Sequence, residues 1–172
     1  RARLASLHAR AAADFHTTFY DAAKGYYGSG LQTEQSMPLY LGIVPAAVKS
    51  KVFDHLVHDI EVTNGGHTTS GIIGIKCALE VLSAAGRTDV ALRMLARTDY
   101  PSYGFMITHP DEPATTIWEL WDSPTEGPGM NSRNHIMFGT VGSWFYKWLL
   151  GVTPLAPGYA PPVATAGAAA AG

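Results

Sequence analysis

Between Ala114 and Phe138 the chain gathers the side chains best suited to chemistry: Trp118-Glu119-Leu120-Trp121-Asp122, a Gly/Pro-rich loop, then Asn131-Ser132-Arg133-Asn134-His135. Two indoles flank one carboxylate, and a polar loop delivers an imidazole. Indole faces stack on the C–H faces of a pyranose while a held carboxylate can take a proton from water, so the combination suits sugar chemistry. The same spacing also fits a helix start with two core aromatics and a solvated acid. Residue types alone leave both readings open.

Further polar and aromatic groups fall between the apolar segments: Tyr26, Tyr27 and Gln32; His67, Thr68 and Thr69; Tyr100, Ser102 and Tyr103. Functional groups on the loops of a rigid scaffold are how sites are usually built. His55 and His58 stand one helical turn apart beside Asp54 and Asp59, but this pair lies opposite an apolar stripe and lacks the further ligands of a zinc site. It is expected to be a solvated face, and neither a metal nor a cofactor is expected anywhere. Cys77, the single cysteine, sits in an apolar run as a buried structural thiol would.

The elements that must position these groups read as helices. Leu4, Leu7, Ala11, Phe15 and Phe19 recur at three and four residues, predicting an amphipathic helix that closes at Lys24-Gly25. A second runs from about Gln32 to Ile43, with Pro38 expected to kink or restart it. Pro45 to Val62 carries Val48, Val52, Leu56 and Ile60 every four residues. Next comes a helix capped by Thr69 or Ser70 and apolar nearly all round through Leu82, so it should be buried. A short helix follows from Thr88, and a last one spans about Gly139 to Leu150 with Phe138, Val141, Phe145, Trp148 and Leu149 facing inward. Thr98 to Pro113 reads as irregular, and no segment alternates as a strand would. From Pro154 the sequence turns to Pro, Ala and Gly, which predicts disorder over 154–172 and one domain over 1–153.

At 172 residues the chain is long enough for one domain with a substantial core. Its net charge of -2 comes with scattered Lys and Arg, which argues against nucleic acid or an anionic membrane surface as a partner. No apolar run approaches the ~18 residues of a membrane span. The first residue is Arg1, without a secretory n-region, and the natural N-terminus is expected to lie elsewhere; compartment is unassigned. Helical hairpins of this kind build either a closed ring around an enzyme pocket or an α-solenoid that binds partners without catalysis.

Five motifs in order carry a resemblance: Gly28-Ser29-Gly30-Leu31-Gln32-Thr33; Gly65-Gly66-His67-Thr68-Thr69-Ser70-Gly71-Ile72-Ile73-Gly74; Tyr100-Pro101-Ser102-Tyr103-Gly104; Thr115-Thr116-Ile117-Trp118-Glu119-Leu120-Trp121-Asp122; and Pro128-Gly129-Met130-Asn131-Ser132 with Asn134-His135. Together they resemble the bacterial-type α-L-rhamnosidases over about Leu4 to Gly158. The resemblance implies an all-α fold, part of an (α/α)6 six-hairpin barrel of which this chain is the C-terminal half. It implies hydrolysis of terminal α-L-rhamnose with inversion, on a rhamnose-containing glycoside or polysaccharide. Glu119 falls on the general base and His135 on a sugar contact; Trp118 and Trp121 would line or support the pocket, and His67 and Gln32 would contribute to it. The family's general acid lies in an upstream motif that nothing before Gly28 resembles, so the N-terminal half of the barrel is the missing partner and the chain alone is expected to be inactive. The loop before Ala114 is longer than the family's, Tyr103 stands where Trp is common, Arg133 replaces an apolar residue, and the Ala-rich end departs from the β-sandwich that follows in relatives.

Overall fold

The spacing of apolar residues turns into helices nearly where it predicts them, and the deviations fall where a loop claims a residue first. The computed structural model describes residues 1–126 and 131–159. Helix α1 covers Ala2–Phe19. It stops short of Lys24 because Tyr20–Asp21 (β1) pairs antiparallel with Tyr26–Tyr27 (β2), Tyr20 opposite Tyr27. Alternation over two residues is too short to show in a sequence. Only the last turn of α1 is anchored: Phe15 packs 5.4 Å from the Tyr27 ring, and the Tyr27 hydroxyl meets His16 Nδ1 at 2.8 Å. Every residue from Arg1 to Ala11 is exposed.

Helix α2, Gln32–Tyr40, begins where the Glu34 carboxylate reaches back to accept the Leu31 N–H at 2.9 Å, satisfying a donor that the helix itself leaves open. Pro38 stays inside α2 rather than restarting it; the missing N–H costs one ladder bond, and the helix closes within a turn. The buried Gln35 amide behaves as a strand neighbour to Tyr27, accepting its N–H at 2.8 Å and donating to its carbonyl at 2.9 Å. Helix α3 spans Ala46–His58 and widens into a π-helical turn, Asp59–Thr63. His55 corrects the expectation of a solvated pair: its Nε2 donates to the Gly30 carbonyl at 2.9 Å and its ring stacks on Tyr26.

Helix α4, Gly74–Ala84, is the hub, with Ile75, Ala78, Leu79 and Leu82 at most 1% exposed. It starts four residues later than Ser70 because Ser70 is engaged elsewhere, accepting a hydrogen bond from Thr33 Oγ1 on its hydroxyl and one from Trp121 on its carbonyl. Helix α2 packs chiefly on α4, and Gly74 permits the approach: a Cβ there would lie 2.0 Å from Thr33 Oγ1. Helix α5, Thr88–Leu95, also packs on α4. Within the stretch expected to be irregular, Ser102 accepts the Phe105 N–H at 2.9 Å and starts the five-residue α6, Tyr103–Ile107.

The last helical run passes from a 3-10 turn, Phe138–Thr140, through α7, Val141–Trp144, to a π-helical turn, Phe145–Leu149. Changing pitch rotates its faces, so the inward residues are Phe138, Val141 and Trp144, whereas Phe145 and Leu149, expected to face in, are 40% and 44% exposed. Trp144 Nε1 donates to Ser83 Oγ at 2.9 Å and to the Leu79 carbonyl, welding this run to α4. A 3-10 turn at Pro157–Tyr159 ends the described residues; it falls inside the 154–172 tail expected to be disordered, and the rest of that tail lies outside the described residues. Among the described residues the architecture is helical hairpins layered about α4, with only the two-residue ladder as sheet.

Candidate active site

Neither side of the Trp118–Asp122 segment is helical; it is held open by two indoles and a neighbouring loop. Trp118 is 2% exposed and fills the core, while Trp121 is 8% exposed, its Nε1 donating 2.9 Å to the Ser70 carbonyl and its rings packing against Tyr103 and Phe138. An indole buried with its N–H satisfied is a strong fixed point. With 118 and 121 drawn inward, the side chain between them is left partly outside: Glu119 is 31% exposed.

The 131–135 segment runs alongside in an antiparallel ribbon. The Glu119 N–H donates to the Ser132 carbonyl at 2.8 Å, the His135 N–H donates to the Ile117 carbonyl at 2.7 Å, and Thr116 Oγ1 donates to the Arg133 carbonyl. Outside the ribbon Arg133 pairs with Glu112. The Ser132 N–H then donates 2.7 Å to Glu119 Oε2, a bond that fixes one carboxylate oxygen in place. Among the described residues Oε1 has no hydrogen-bond partner. His135 Nδ1 lies 3.9 Å from Oε2, too far for a hydrogen bond and close enough for attraction when the ring is charged; its buried Nε2 has no partner among the described residues.

His67, Gln32 and Trp121 form a second group. Gln32 is fully buried with both ends committed: Nε2 donates to the His67 carbonyl at 3.1 Å and Oε1 accepts the Thr69 N–H at 2.9 Å. Gln32, expected to contribute to the pocket, uses its amide to hold the loop on which His67 stands. His67 Nδ1 donates to the Asn64 carbonyl at 2.8 Å, and Nε2 accepts from Arg97 Nε at 2.9 Å beside Asp99. The Arg97 guanidinium holds the Asp99 carboxyl down at about 2. His67, Thr69, Tyr100 and Trp121 line a cleft of about 410 Å³. Tyr100 donates 2.6 Å to Glu126 at its rim, and that bond, with burial, pushes the phenol up to about 12.

A groove of about 460 Å³ between α6, residues 114–117 and Phe145 has no carboxylate or imidazole in its lining. Among the described residues no three His, Cys, Asp or Glu side chains gather as a metal site would require. Burial pushes the Cys77 thiol up, away from the thiolate a nucleophile needs. The structure thus joins Glu119 with His135, and His67 with Trp121, and buries Trp118 in the core beside Glu119 in the chain. Sequence reasoning missed the Ser132 amide, the Arg97–Asp99 brace and His109, whose Nε2 lies 3.1 Å from Asp122; these need distant segments to meet, and no local spacing announces them.

Comparison with known proteins follows the same lines. The sequence model described as the bacterial alpha-L-rhamnosidase 6 hairpin glycosidase domain matches residues 1–149. An alpha-L-rhamnosidase from Streptomyces avermitilis is 38% identical over 147 residues, covering 83% of this chain and 14% of its own, and one from Alteromonas sp. is 33% identical over 84% and 16%. The solved structure of the Streptomyces avermitilis alpha-L-rhamnosidase complexed with L-rhamnose superposes with a TM-score of 0.81 at 34% identity, over 90% of this chain and 15% of that one. Native rhamnosidase from Aspergillus terreus gives 0.82 at 29%, over 92% and 18%. The chain therefore spans about a sixth of the length of the relatives it matches.

Proposed function

The chain belongs to the bacterial alpha-L-rhamnosidase six-hairpin glycosidase family, and from that premise we propose that it carries the general-base side of an inverting α-L-rhamnosidase site. Residues 1–153 act as one part of a barrel whose upstream part supplies the general acid. The substrate is a terminal α-L-rhamnoside, on a glycoside or a polysaccharide.

Glu119 removes a proton from a water molecule as that water's oxygen bonds to the anomeric carbon. The glycosidic C–O bond breaks on the opposite face, and the departing oxygen takes its proton from the acid across the ring. Inversion requires base and acid roughly 6.5 to 9.5 Å apart, so that the water fits between base and sugar. His135 meets a sugar hydroxyl through the exposed part of its imidazole, a side chain 25% exposed. Trp118 supports the site from the core, while Trp121 and His67 border the cleft that receives the glycoside.

What carries the reading is the state of one carboxylate: Glu119 Oε2 is pinned at 2.7 Å by the Ser132 amide, while Oε1, without a partner among the described residues, is left to take a proton. In this chain joined to the rest of its barrel, Glu119→Gln keeps shape and hydrogen bonding but removes the basic oxygen. kcat with an aryl α-L-rhamnoside should fall on the order of 10³-fold, about 4 kcal/mol, with KM little changed. Near-normal kcat would overturn the assignment.

A further inference from the structure

His109 is 3% exposed and belongs to no part of the chemistry above. Its surroundings fix its protonation pattern. The backbone N–H groups of Asp111 and Glu112 both donate to Nδ1, at 3.3 and 3.1 Å, so Nδ1 carries the lone pair and Nε2 the proton. That Nε2–H donates to Asp122 Oδ1 at 3.1 Å. The ring meanwhile sets its edge against Trp118, centroids 5.6 Å apart at 69°, and against Phe105 at 5.2 Å and 82°.

One imidazole thus grips residue 118 and residue 122, the two sides of Glu119. Resting on the reading of Glu119 as base, we infer that His109 is a positioning residue for that carboxylate, acting through Trp118 and Asp122. The ribbon to Ser132 fixes the Glu119 backbone from one side, and His109 fixes the ends of the segment from the other. Asp122, a carboxylate three residues from the base, is tied to the imidazole instead of standing free as a second acid. A buried histidine that only filled space would need neither the two amide donors nor the carboxylate acceptor.

Two near-isosteric changes separate its halves. Gln sets an amide N–H near the place of Nε2, retaining the Asp122 bond; Asn sets a carbonyl oxygen near Nδ1, retaining the Asp111 and Glu112 amides but dropping Asp122. In this chain joined to the rest of its barrel, His109→Asn should lower kcat on the order of 10- to 100-fold with KM unchanged, the scale on which misplaced reacting groups lose rate. His109→Gln should restore most of it. In a Glu119→Gln background His109→Asn should cost nothing more, because it acts only through the base. Equal losses from Asn and Gln, or the same loss with and without the Glu119 carboxylate, would overturn the inference. A normal kcat for Glu119→Gln alone would instead remove the base assignment and this inference with it. Should the variants not fold, imidazole nitrogen-15 shifts of the unaltered chain decide: Nε2–H with a bare Nδ1 is expected for His109, and the opposite tautomer overturns the proposal.

Discussion

His135 Nδ1 stands 3.9 Å from the Glu119 oxygen that also takes the Ser132 amide, so the imidazole and the amide share a single oxygen and leave the other unclaimed among the described residues. The two residues reach this arrangement from opposite strands of one ribbon, through the Glu119–Ser132 and Ile117–His135 backbone bonds.

His135→Ala should raise KM for an aryl α-L-rhamnoside more than it lowers kcat. Losing one hydrogen bond to a sugar hydroxyl is worth about 0.5–1.5 kcal/mol, or roughly 2- to 13-fold. Steady-state kinetics on the assembled barrel measure it; an unchanged KM would remove His135 from the sugar.

Gln32→Leu fills the same volume but leaves the His67 carbonyl and the Thr69 N–H without their partner. We expect a loss of about 1–3 kcal/mol in stability, read as a lower melting temperature, and faster proteolysis in residues 64–70. Unaltered protection of that loop would show that Gln32 does not hold it.

Two glycines should respond in opposite directions. A Cβ on Gly104 would sit 2.3 Å from the Arg97 carbonyl oxygen and 2.9 Å from Thr98 Cα, backbone that cannot swing aside, so Gly104→Ala should destabilise by about 1–3 kcal/mol. Gly142 in α7 has nothing within 4 Å of that position, and Gly142→Ala should stabilise by up to about 1 kcal/mol through helix propensity. Chemical denaturation of both variants checks the contrast.

The Asp99 carboxyl, held down at about 2 from an ordinary 3.8 chiefly by Arg97, fixes the sign of one acid effect. A carboxyl depressed by folding contributes stability above its unfolded value and loses it as pH falls through the folded value. The brace on the His67 loop should therefore persist at pH 4 and be lost near pH 2. Carbon-13 titration should find the Asp99 midpoint near 2, returning to the ordinary carboxylate range in Arg97→Ala.

Helices α1, α3, α4 and α5 were legible because each repeats its apolar residues at helical spacing over two or more turns. Helix α6 was not, since five residues with a Ser102 cap offer too little periodicity. The inner face of the last helix was misread at Phe145 and Leu149 because a 3.6-residue projection assumes a constant pitch, which that run does not keep. At the site, Glu119 and His135 could be named from residue type and resemblance, and the ribbon brings them together. The part Gln32 plays in holding the His67 loop is not announced by sequence: a buried amide bridging two backbone groups thirty-five and thirty-seven residues away looks like any polar residue at a loop edge.

The exposed turns of α1 carry a consequence for assembly. From Arg1 to Ala11 no side chain is covered, so these turns rely on their alanines' intrinsic preference, and a lone helix of this length is marginal in water. Their amides should exchange with deuterium almost as fast as a free peptide's while the stripe of Leu4 and Leu7 is bare, and slow sharply once another surface takes it up. On the proposed reading, ordering entropy is then spent at docking rather than at folding, and the deuterium uptake of eleven residues becomes a gauge of whether the proposed barrel has closed.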